Sequence, residues 1–388
     1  MIKLNQAIEI INKQTPSVKL ETVKTKDSLG RLLPKSLTST IESPPFSKAA
    51  MDGYAVQSTD TSREFTILET IGAGEIPSKT VQQGECVKIM TGAMMPEGAD
   101  KVIRVEYTER NGTVMTIKQN ERGTNVIFRA ENLKIGDPVL SPGIIGAKEL
   151  GIIASLGLSE IEVVKKPVMG VITTGSELKN PGEKLQSGEI YNSNGFQMCA
   201  QITENGGIPK YYGIVKDDRI SLSNTIKDAL KNCDVLLLSG GVSKGEFDYV
   251  PEILQENGVE PLFHRVAIKP GRPTFFGKNK DTYIFGLPGN PVSSFVVFEV
   301  MVKSLLYRMA GLEYKPMLFK GTLSKTLHRK DTERTEFYPV IIEGDIIRPI
   351  KYLGSSHLNA LADANGLLSI STGTEELKEG EQVDVRPL

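Results

Sequence analysis

Three apolar runs, each passing into a loop that contains glycine, constrain the fold of this chain most strongly. The three junctions are Val168–Ile172 into Thr173-Thr174-Gly175-Ser176-Glu177, Val235–Leu238 into Ser239-Gly240-Gly241, and Tyr283–Phe285 into Gly286-Leu287-Pro288-Gly289-Asn290-Pro291. Apolar runs without alternation are typical of strands buried on both faces, and glycine allows a loop backbone to approach a ligand closely. We therefore predict one mostly parallel sheet whose ligands bind at the carboxyl ends of these strands.

The region from 168 to 310 alternates between strand and helix patterns, which is the signature of a βαβ domain. The further elements predicted there are helices at Asn194–Asn205, Asp217–Lys231, Tyr249–Glu256 and Val292–Met309, a strand at Tyr211–Val215 and an edge segment at His264–Ile268.

The flanking regions have a different character. Apolar residues recur at helical spacing in residues 3–13 and again in 145–157, so we expect two helices that pack side by side in a domain made of two separated pieces. Short alternating strands between 60 and 140 predict a small all-β module, and those after 317 predict a second small barrel or sandwich. For the Asp52-Gly53 pair between apolar flanks, composition alone favours a plain hairpin turn over a functional role. Turn chemistry likewise explains Met90–Ala93 as well as a ligand would.

Composition and charge exclude several classes of protein. The 388 residues have a formal net charge of −1, which does not favour a nucleic-acid-binding surface. The longest apolar stretch, Val292–Val302, contains two serines and a glutamate and is too short to span a bilayer. Because Met1–Lys13 also lacks the pattern of a signal peptide, we expect a cytoplasmic location and no membrane partner.

Cysteine and histidine give no support to a thiol or imidazole site. Cys86, Cys199 and Cys233 are far apart and form no Cys-x-x-Cys pair, so we expect ordinary thiols. The three histidines are all absent from the strand-end loops, which argues against imidazole acid–base chemistry and a histidine-rich metal site.

The strand-end loops instead contain hydroxyls, glycines, carboxylates and cations. Lys269 and Arg272 lie three positions apart on a proline-stiffened turn, where they could bind an oxyanion. Asp248, Glu177 or Asp217 could share Mg²⁺. A carboxylate after a strand is also a common helix N-cap, and Asp217 could be only that. The residues alone thus indicate an α/β enzyme that handles phosphate or an oxyanion, with Mg²⁺.

Six motifs in order closely resemble the molybdopterin molybdenumtransferases, that is, the MoeA family, to which the gephyrin E domain belongs. They lie at 44–56, 90–100, 173–178, 239–249, 268–273 and 286–293. The resemblance spans nearly the whole chain, including Gly354–Ile370 and Gly380–Val385. It implies a multidomain α/β plus β subunit whose central three-layer α/β domain resembles the molybdopterin adenylyltransferases. The implied domains are a split helical domain (1–45 and 141–166), a β module (46–140), the α/β domain (167–315) and a C-terminal β-barrel (316–388).

The resemblance also implies the reaction, in which molybdate is inserted into adenylyl-molybdopterin to give molybdenum cofactor and AMP, with Mg²⁺. It implies a homodimer in which Asp52 and Thr91 reach the site of the other subunit. Asp248, Glu177 and Asp52 are the implied metal ligands, while Lys269 and Arg272 would bind molybdate. The implied substrate-binding residues are Thr91, Thr174, Gly175, Asp217, Ser239, Gly240, Gly241, Ser243, Pro288, Gly289, Asn290 and Pro291.

The sequence departs from the family pattern at a few positions and leaves alternatives open. Arg272 stands where a second lysine is expected, and Ser176 and Asn132 each replace an aspartate, which leaves the ion's ligand set open. The alternatives are a nucleotide or pterin phosphohydrolase and a scaffold that clusters its partners. Expected protein partners are a molybdopterin adenylyltransferase and molybdoenzyme-maturation proteins.

Overall fold

The computed structural model describes residues 1–241, 249–280 and 282–388. The chain divides into two compact units. The first comprises Met1–Glu21 and Val164–Leu388, and the second comprises Thr22–Val163. The strands Leu20–Lys24 and Glu160–Val164 contain the two points where the chain passes between the units.

A six-stranded sheet forms the centre of the first unit. In spatial order its strands are Ile208–Val215, Val168–Thr174, Val235–Ser239, Tyr283–Leu287, Phe275–Lys278 and Glu260–Phe263. The first four are parallel, and the last two are paired antiparallel. Every residue of Val235–Ser239 is buried, as its unbroken apolar run predicts. The predicted mostly parallel sheet is therefore confirmed.

Helices cover both faces of this sheet because successive strand side chains point to opposite sides. Leu237 and Phe285 pack against the helices Leu4–Asn12, Ser193–Glu204 and Pro291–Met309 on one face. Leu236 and Ile284 pack against Arg219–Asn232 and Val250–Glu256 on the other. The last helix is α-helical over Pro291–Val297 and Lys303–Met309, with a π-helical segment at Phe298–Val302 between them.

The N-terminal helix corrects one expectation. Ala7 and Ile11 are completely buried in the same core as Val297 and Leu305, so Leu4–Asn12 packs in the α/β core of the first unit. The apolar face predicted to contact the helix at 145–157 is thus already covered, and that pairing is wrong. The finer four-part division of the chain stays a prediction.

The edge of the central sheet also differs from expectation. The edge strand is Glu260–Phe263, not His264–Ile268, and the antiparallel strand Phe275–Lys278 was not predicted. Ile268–Lys269 instead pairs, in parallel, with Thr335–Glu336 of the C-terminal module.

The C-terminal module is a closed five-stranded barrel. Its strands in ring order are Thr335–Glu343, Ile346–Pro349, Phe319–Leu323, Gln382–Pro387 and Gly366–Ile370, which pairs again with the first. Val340, Leu368 and Val385 belong to its core. The structure thus selects the barrel over the sandwich.

A half-barrel of six strands dominates the second unit. In order they are Lys101–Arg104, Gly53–Val56, Glu85–Ile89, Glu64–Ile71, Val114–Ile117 and Thr108–Asn111. The plain hairpin expected around Asp52-Gly53 is wrong, because its two flanks pair with different strands. Lys48–Ala49 pairs with Val126–Ile127, whereas Gly53–Val56 lies between two strands of the half-barrel.

The remaining elements of the second unit are short. The helix Ala147–Ser155 packs with Leu33 and Val163, and the strands Leu32–Leu33 and Leu37–Thr38 pair with Gly143–Ile144 and Pro138–Leu140. Across the described residues of both units, no helix combines the length and apolar character needed to cross a membrane.

Candidate active site

The three predicted strand-end loops line one cavity of about 570 Å³ at the carboxyl ends of the central strands. Nine residues singled out from the sequence lie on its wall: Thr174, Glu177, Ser239, Gly240, Gly241, Pro288, Gly289, Asn290 and Pro291. The convergence follows from the topology, because the strands that precede these loops are parallel neighbours in the sheet.

Two glycines allow the loops to come this close. Gly240 has φ +88°, and a Cβ there would lie 2.4 Å from the carbonyl oxygen of Thr174. At Gly175, with φ +153°, a Cβ would lie 2.6 Å from Oε2 of Glu177. The positive φ favours glycine at both positions, and at Gly240 the backbone contact requires it as well. As a result the Glu177 carboxylate lies directly against the loop backbone.

Asn194, whose role the strand pattern does not reveal, connects two of the loops. Its Nδ2 donates to Oγ of Ser239 at 2.8 Å and to the carbonyl oxygen of Gly289 at 2.7 Å. The side chain is buried (8% exposed), and its Oδ1 has no hydrogen-bond partner among the described residues. Asn194 enters the site from the first turn of the helix Ser193–Glu204. A buried amide with a spare acceptor is suited to bind an N–H or O–H of a ligand.

Asn192 supports the same corner of the cavity. It caps the helix by accepting from the Gly195 amide at 3.1 Å, and its Nδ2 donates to Oγ1 of Thr173 at 3.0 Å and to the Tyr211 hydroxyl at 2.6 Å. The run Asn192-Ser193-Asn194 is a helix-start signal in the sequence that could have indicated both asparagines.

The C-terminal module also contributes to the cavity. Ser356 lies on its wall. The neighbouring Ser355 accepts a hydrogen bond from Nδ2 of Asn290 at 2.8 Å and, through its carbonyl, from the Val292 amide at 3.1 Å. These serines belong to the stretch Gly354–Ile370, whose family resemblance was the one signal that could have found them.

The loop of the predicted cations reaches the cavity through one residue only. Pro273 lines it, whereas Lys269 and Arg272 of the same loop do not. Lys269 forms an ion pair with Glu336, in which Nζ lies 2.9 Å from Oε1. Arg272 is exposed and has no ion pair within the described part of the chain.

Another predicted residue, Asp217, is not brought to this cavity. Asp217 is exposed and does not line it, and the helix cap is the next residue, Asp218, which accepts from the Ser221 amide at 2.8 Å. The N-cap role considered for Asp217 is therefore performed by its neighbour Asp218. Ser243 and Asp248 lie outside the described residues.

Asp52 and Thr91 lie together in the second unit. The amide and the hydroxyl of Thr91 both donate to Oδ1 of Asp52, at 2.7 Å and 2.6 Å. These bonds, the hydroxyl first, lower the pKa of Asp52 below its usual range. Both side chains are exposed, so the pair presents an ionised, oriented carboxylate on the surface.

The donors at the cavity are oxygens. Among the described residues no group of three or more histidine, cysteine, aspartate or glutamate side chains could hold a metal ion. Glu177 is the single carboxylate that the described chain places on the cavity wall, near the hydroxyls of Thr174 and Ser239. A hard cation that takes one or two carboxylates and completes its coordination with substrate phosphates, such as Mg²⁺, fits these donors.

The fold and the site together define a class of protein. A three-layer α/β domain that gathers glycine-rich loops, hydroxyls and one carboxylate at its strand ends is built to bind a phosphorylated ligand. Three family models match the chain in order: the MoeA N-terminal region (domain I and II) at residues 2–157, a probable molybdopterin binding domain at 170–308 and the MoeA C-terminal region (domain IV) at 321–388.

Similar proteins cover the full length. The molybdopterin molybdenumtransferase of Staphylococcus aureus strain Mu50 is 35% identical over 99% of this chain and 95% of its own. That of Staphylococcus epidermidis strain RP62A is 32% identical over the same shares. The crystal structure of a molybdopterin biosynthesis MoeA protein from Pyrococcus horikoshii is 33% identical with a TM-score of 0.88, covering 100% of this chain and 99% of that one.

The chain belongs to the MoeA family, the molybdopterin molybdenumtransferases of molybdenum cofactor biosynthesis. The family, the fold class and the transferase class predicted from the sequence are confirmed.

Proposed function

We propose that this chain inserts molybdate into adenylyl-molybdopterin with release of AMP, in the cavity at the carboxyl ends of the central strands. The observation that supports this best is the convergence of the three loops on one cavity, with Glu177 on its wall. Full-length relatives are named molybdopterin molybdenumtransferases, which agrees with a pterin phosphate as the ligand of these loops.

The phosphate end of the substrate would lie against Ser239, Gly240 and Gly241. Here the positive-φ glycines keep side chains away from the backbone, so that its amides are open to phosphate oxygens. Glu177 and Asp248 would hold Mg²⁺, which supplies charge neutralisation at the phosphoanhydride. Asn194 keeps the Ser239 loop and the Gly289 loop at a fixed separation, which orients the substrate between them.

The molybdate end would lie towards Lys269 and Arg272. Molybdate is a tetrahedral dianion, so a point charge from Lys269 and a planar fork from Arg272 can neutralise it together. The Pro288–Pro291 loop would form the opposite wall. Binding the oxyanion beside the dithiolene sulfurs supplies proximity, and the two cations stabilise the charge that is redistributed as sulfur replaces oxygen on molybdenum.

We further propose that the active form is a homodimer. Asp52 and Thr91 of the partner subunit would complete the site, because their hydrogen-bonded pair is exposed and its carboxylate is fixed. A carboxylate delivered across an interface needs such a fixed geometry. The protein would act in the cytoplasm, receive its substrate from a molybdopterin adenylyltransferase and pass its product to molybdoenzyme-maturation proteins.

The test is AMP release from adenylyl-molybdopterin by the purified chain, with and without molybdate. Glu177→Gln should lower the molybdate-dependent rate by about tenfold or more, since it removes the carboxylate of the cavity. Glu183→Gln is the matched control. Glu183 lies in the same segment between the strand Val168–Thr174 and the helix Ser193–Glu204, but not on the cavity wall. A rate that does not depend on molybdate, with phosphate release from simple nucleotides, would instead support a phosphohydrolase.

The scaffold alternative requires a separate experiment. In cells that lack endogenous molybdoenzyme activity, the Asp52→Ala, Asp248→Ala double variant should fail to restore that activity. If this variant restores it fully, the proposed site is wrong.

A further inference from the structure

The buried carboxylate of Glu336 lies in the C-terminal barrel but contacts the loop that contains Lys269 and Arg272, the two cations proposed to bind molybdate. Ile268–Lys269 pairs in parallel with the start of the barrel strand, and Lys269 stands directly opposite Glu336 in the register. The Lys269 ammonium lies 2.9 Å from Oε1, and the Glu336 side chain is only 6% exposed. The lysine is therefore held where its loop meets the barrel.

A second cation fixes the other oxygen of this carboxylate. Nε of Arg329 lies 2.8 Å from Oε2 of Glu336, and the Arg329 side chain is 3% exposed. Within the described residues neither atom has an aligned hydrogen-bond partner, so this contact is one between charges. The terminal nitrogens of Arg329 donate to the carbonyl oxygens of Ser371 at 2.9 Å and Arg334 at 2.6 Å. Because Arg329 is immobilised in this way, Glu336 has a fixed orientation.

The charges of this trio are unequal. Lys269 and Arg329 contribute two positive charges and Glu336 one negative charge. A carboxylate this deeply buried needs a cation, and Arg329 alone supplies one. The Lys269 side chain is 37% exposed, and its other acidic neighbour, Asp331, is itself paired with Arg334, so the Lys269 ammonium is neutralised only in part. An ammonium has three N–H donors, more than one carboxylate oxygen can accept, so Lys269 can also bind an anion.

We propose that Glu336 is a positioning residue for molybdate, acting through Lys269. Through the ion pair it holds the flexible lysine in place while leaving the ammonium able to bind the oxyanion as well. This rests on the proposed function, in which Lys269 binds molybdate.

The first test is the steady-state kinetics of Glu336→Gln in the full-length chain. We expect the KM for molybdate to rise about tenfold or more, as for a lost hydrogen bond to a charged group, and the KM for adenylyl-molybdopterin to stay unchanged. A purely structural role would lower the fraction of active enzyme, and hence the maximal rate, without changing either KM. Glu343→Gln is the matched control, since Glu343 ends the same strand in an exposed ion pair with Arg348.

A double-mutant cycle with Lys269→Met decides between the outcomes. If Glu336 acts through Lys269, adding Glu336→Gln to Lys269→Met raises the KM for molybdate no further. Additive effects, or an unchanged KM in Glu336→Gln while Lys269→Met raises it, would overturn this inference and leave the role of Lys269 intact. An unchanged KM in Lys269→Met would overturn both.

A shorter carboxylate covers the case in which Glu336→Gln does not fold. Glu336→Asp retains the negative charge in the barrel but withdraws it by one methylene from both Lys269 and Arg329. The same rise in the KM for molybdate is expected, and an unchanged KM in this variant would equally overturn the proposal.

Discussion

Replacing Gly240 by alanine tests the close approach of the loops that form the cavity. A Cβ at this position would lie 2.4 Å from the Thr174 carbonyl oxygen, whereas real Cβ contacts do not fall below 3.0 Å. The two backbones must therefore separate by at least about 0.6 Å, the difference between these distances. Since a misplacement of about 1 Å at a reactive site costs on the order of 100-fold in rate, we expect a loss of roughly ten- to a hundredfold.

A second glycine provides the control that separates the cost of the left-handed backbone from the cost of the steric contact. Gly258 has φ +72°, and a Cβ there would meet nothing within 4 Å. Gly258→Ala should therefore cost only the left-handed backbone, about 1–2 kcal/mol in the free energy of unfolding, and leave the rate unchanged. Gly240→Ala should cost more than this, because steric repulsion adds to the same backbone strain.

The assays are molybdate-dependent AMP release and urea unfolding of both variants. If Gly240→Ala keeps its rate within about threefold of the parent while Gly258→Ala behaves as expected, the close approach of Gly240 to Thr174 is not needed for the reaction.

Three further expectations follow from contacts of single side chains. Thr91→Val removes the hydroxyl that lowers the pKa of Asp52, so that pKa should rise, and the acid limb of the rate profile should move to higher pH; an unmoved limb would show that Asp52 ionisation does not limit the rate. Asn194→Ala removes the amide that joins two loops, and should lower both the rate and the free energy of unfolding, the latter by about 1–3 kcal/mol; full activity would contradict the bridging role. Although burial opposes ionisation of Glu121, its hydrogen bonds to Arg104 and Asn125 keep its pKa below 4.5. The ionised Glu121 therefore stabilises the folded state above pH 4.5, and this contribution is lost as the pH falls through the lower folded pKa. In Glu121→Gln the free energy of unfolding, followed by circular dichroism, should depend less on pH in that range.

The central sheet was predictable because three of its four parallel strands are buried on both faces. Val235–Ser239 has no polar position until its end, and the crossover helices that follow have a clear helical period. Phe275–Lys278 gives a weaker signal, since a four-residue antiparallel strand interrupted by a glycine looks like a loop in sequence. Pairings between distant segments, such as Lys48–Ala49 with Val126–Ile127, cannot be derived from turn chemistry, which describes only neighbouring residues.

The cavity was predictable to the extent that it is built from strand ends. Loops after parallel neighbours meet at one edge of a sheet, so the strand pattern alone is enough to group Thr174, Ser239 and Pro288. Asn194 enters from the start of a helix and Ser356 from a separate barrel, and neither position follows from the strand pattern. Packing between modules determines these contributions, and hydrophobic periodicity does not encode it.

The short strand Ile268–Lys269 has a consequence for dissecting this chain. A fragment that starts at residue 316 would retain all five strands of the ring but lose the segment that lies alongside Thr335–Glu336. The unpaired backbone of Thr335–Glu336 and the Glu336 side chain without Lys269 would then form an open edge, a surface prone to self-association. Fragments meant to isolate the C-terminal module should therefore carry a linked copy of that segment.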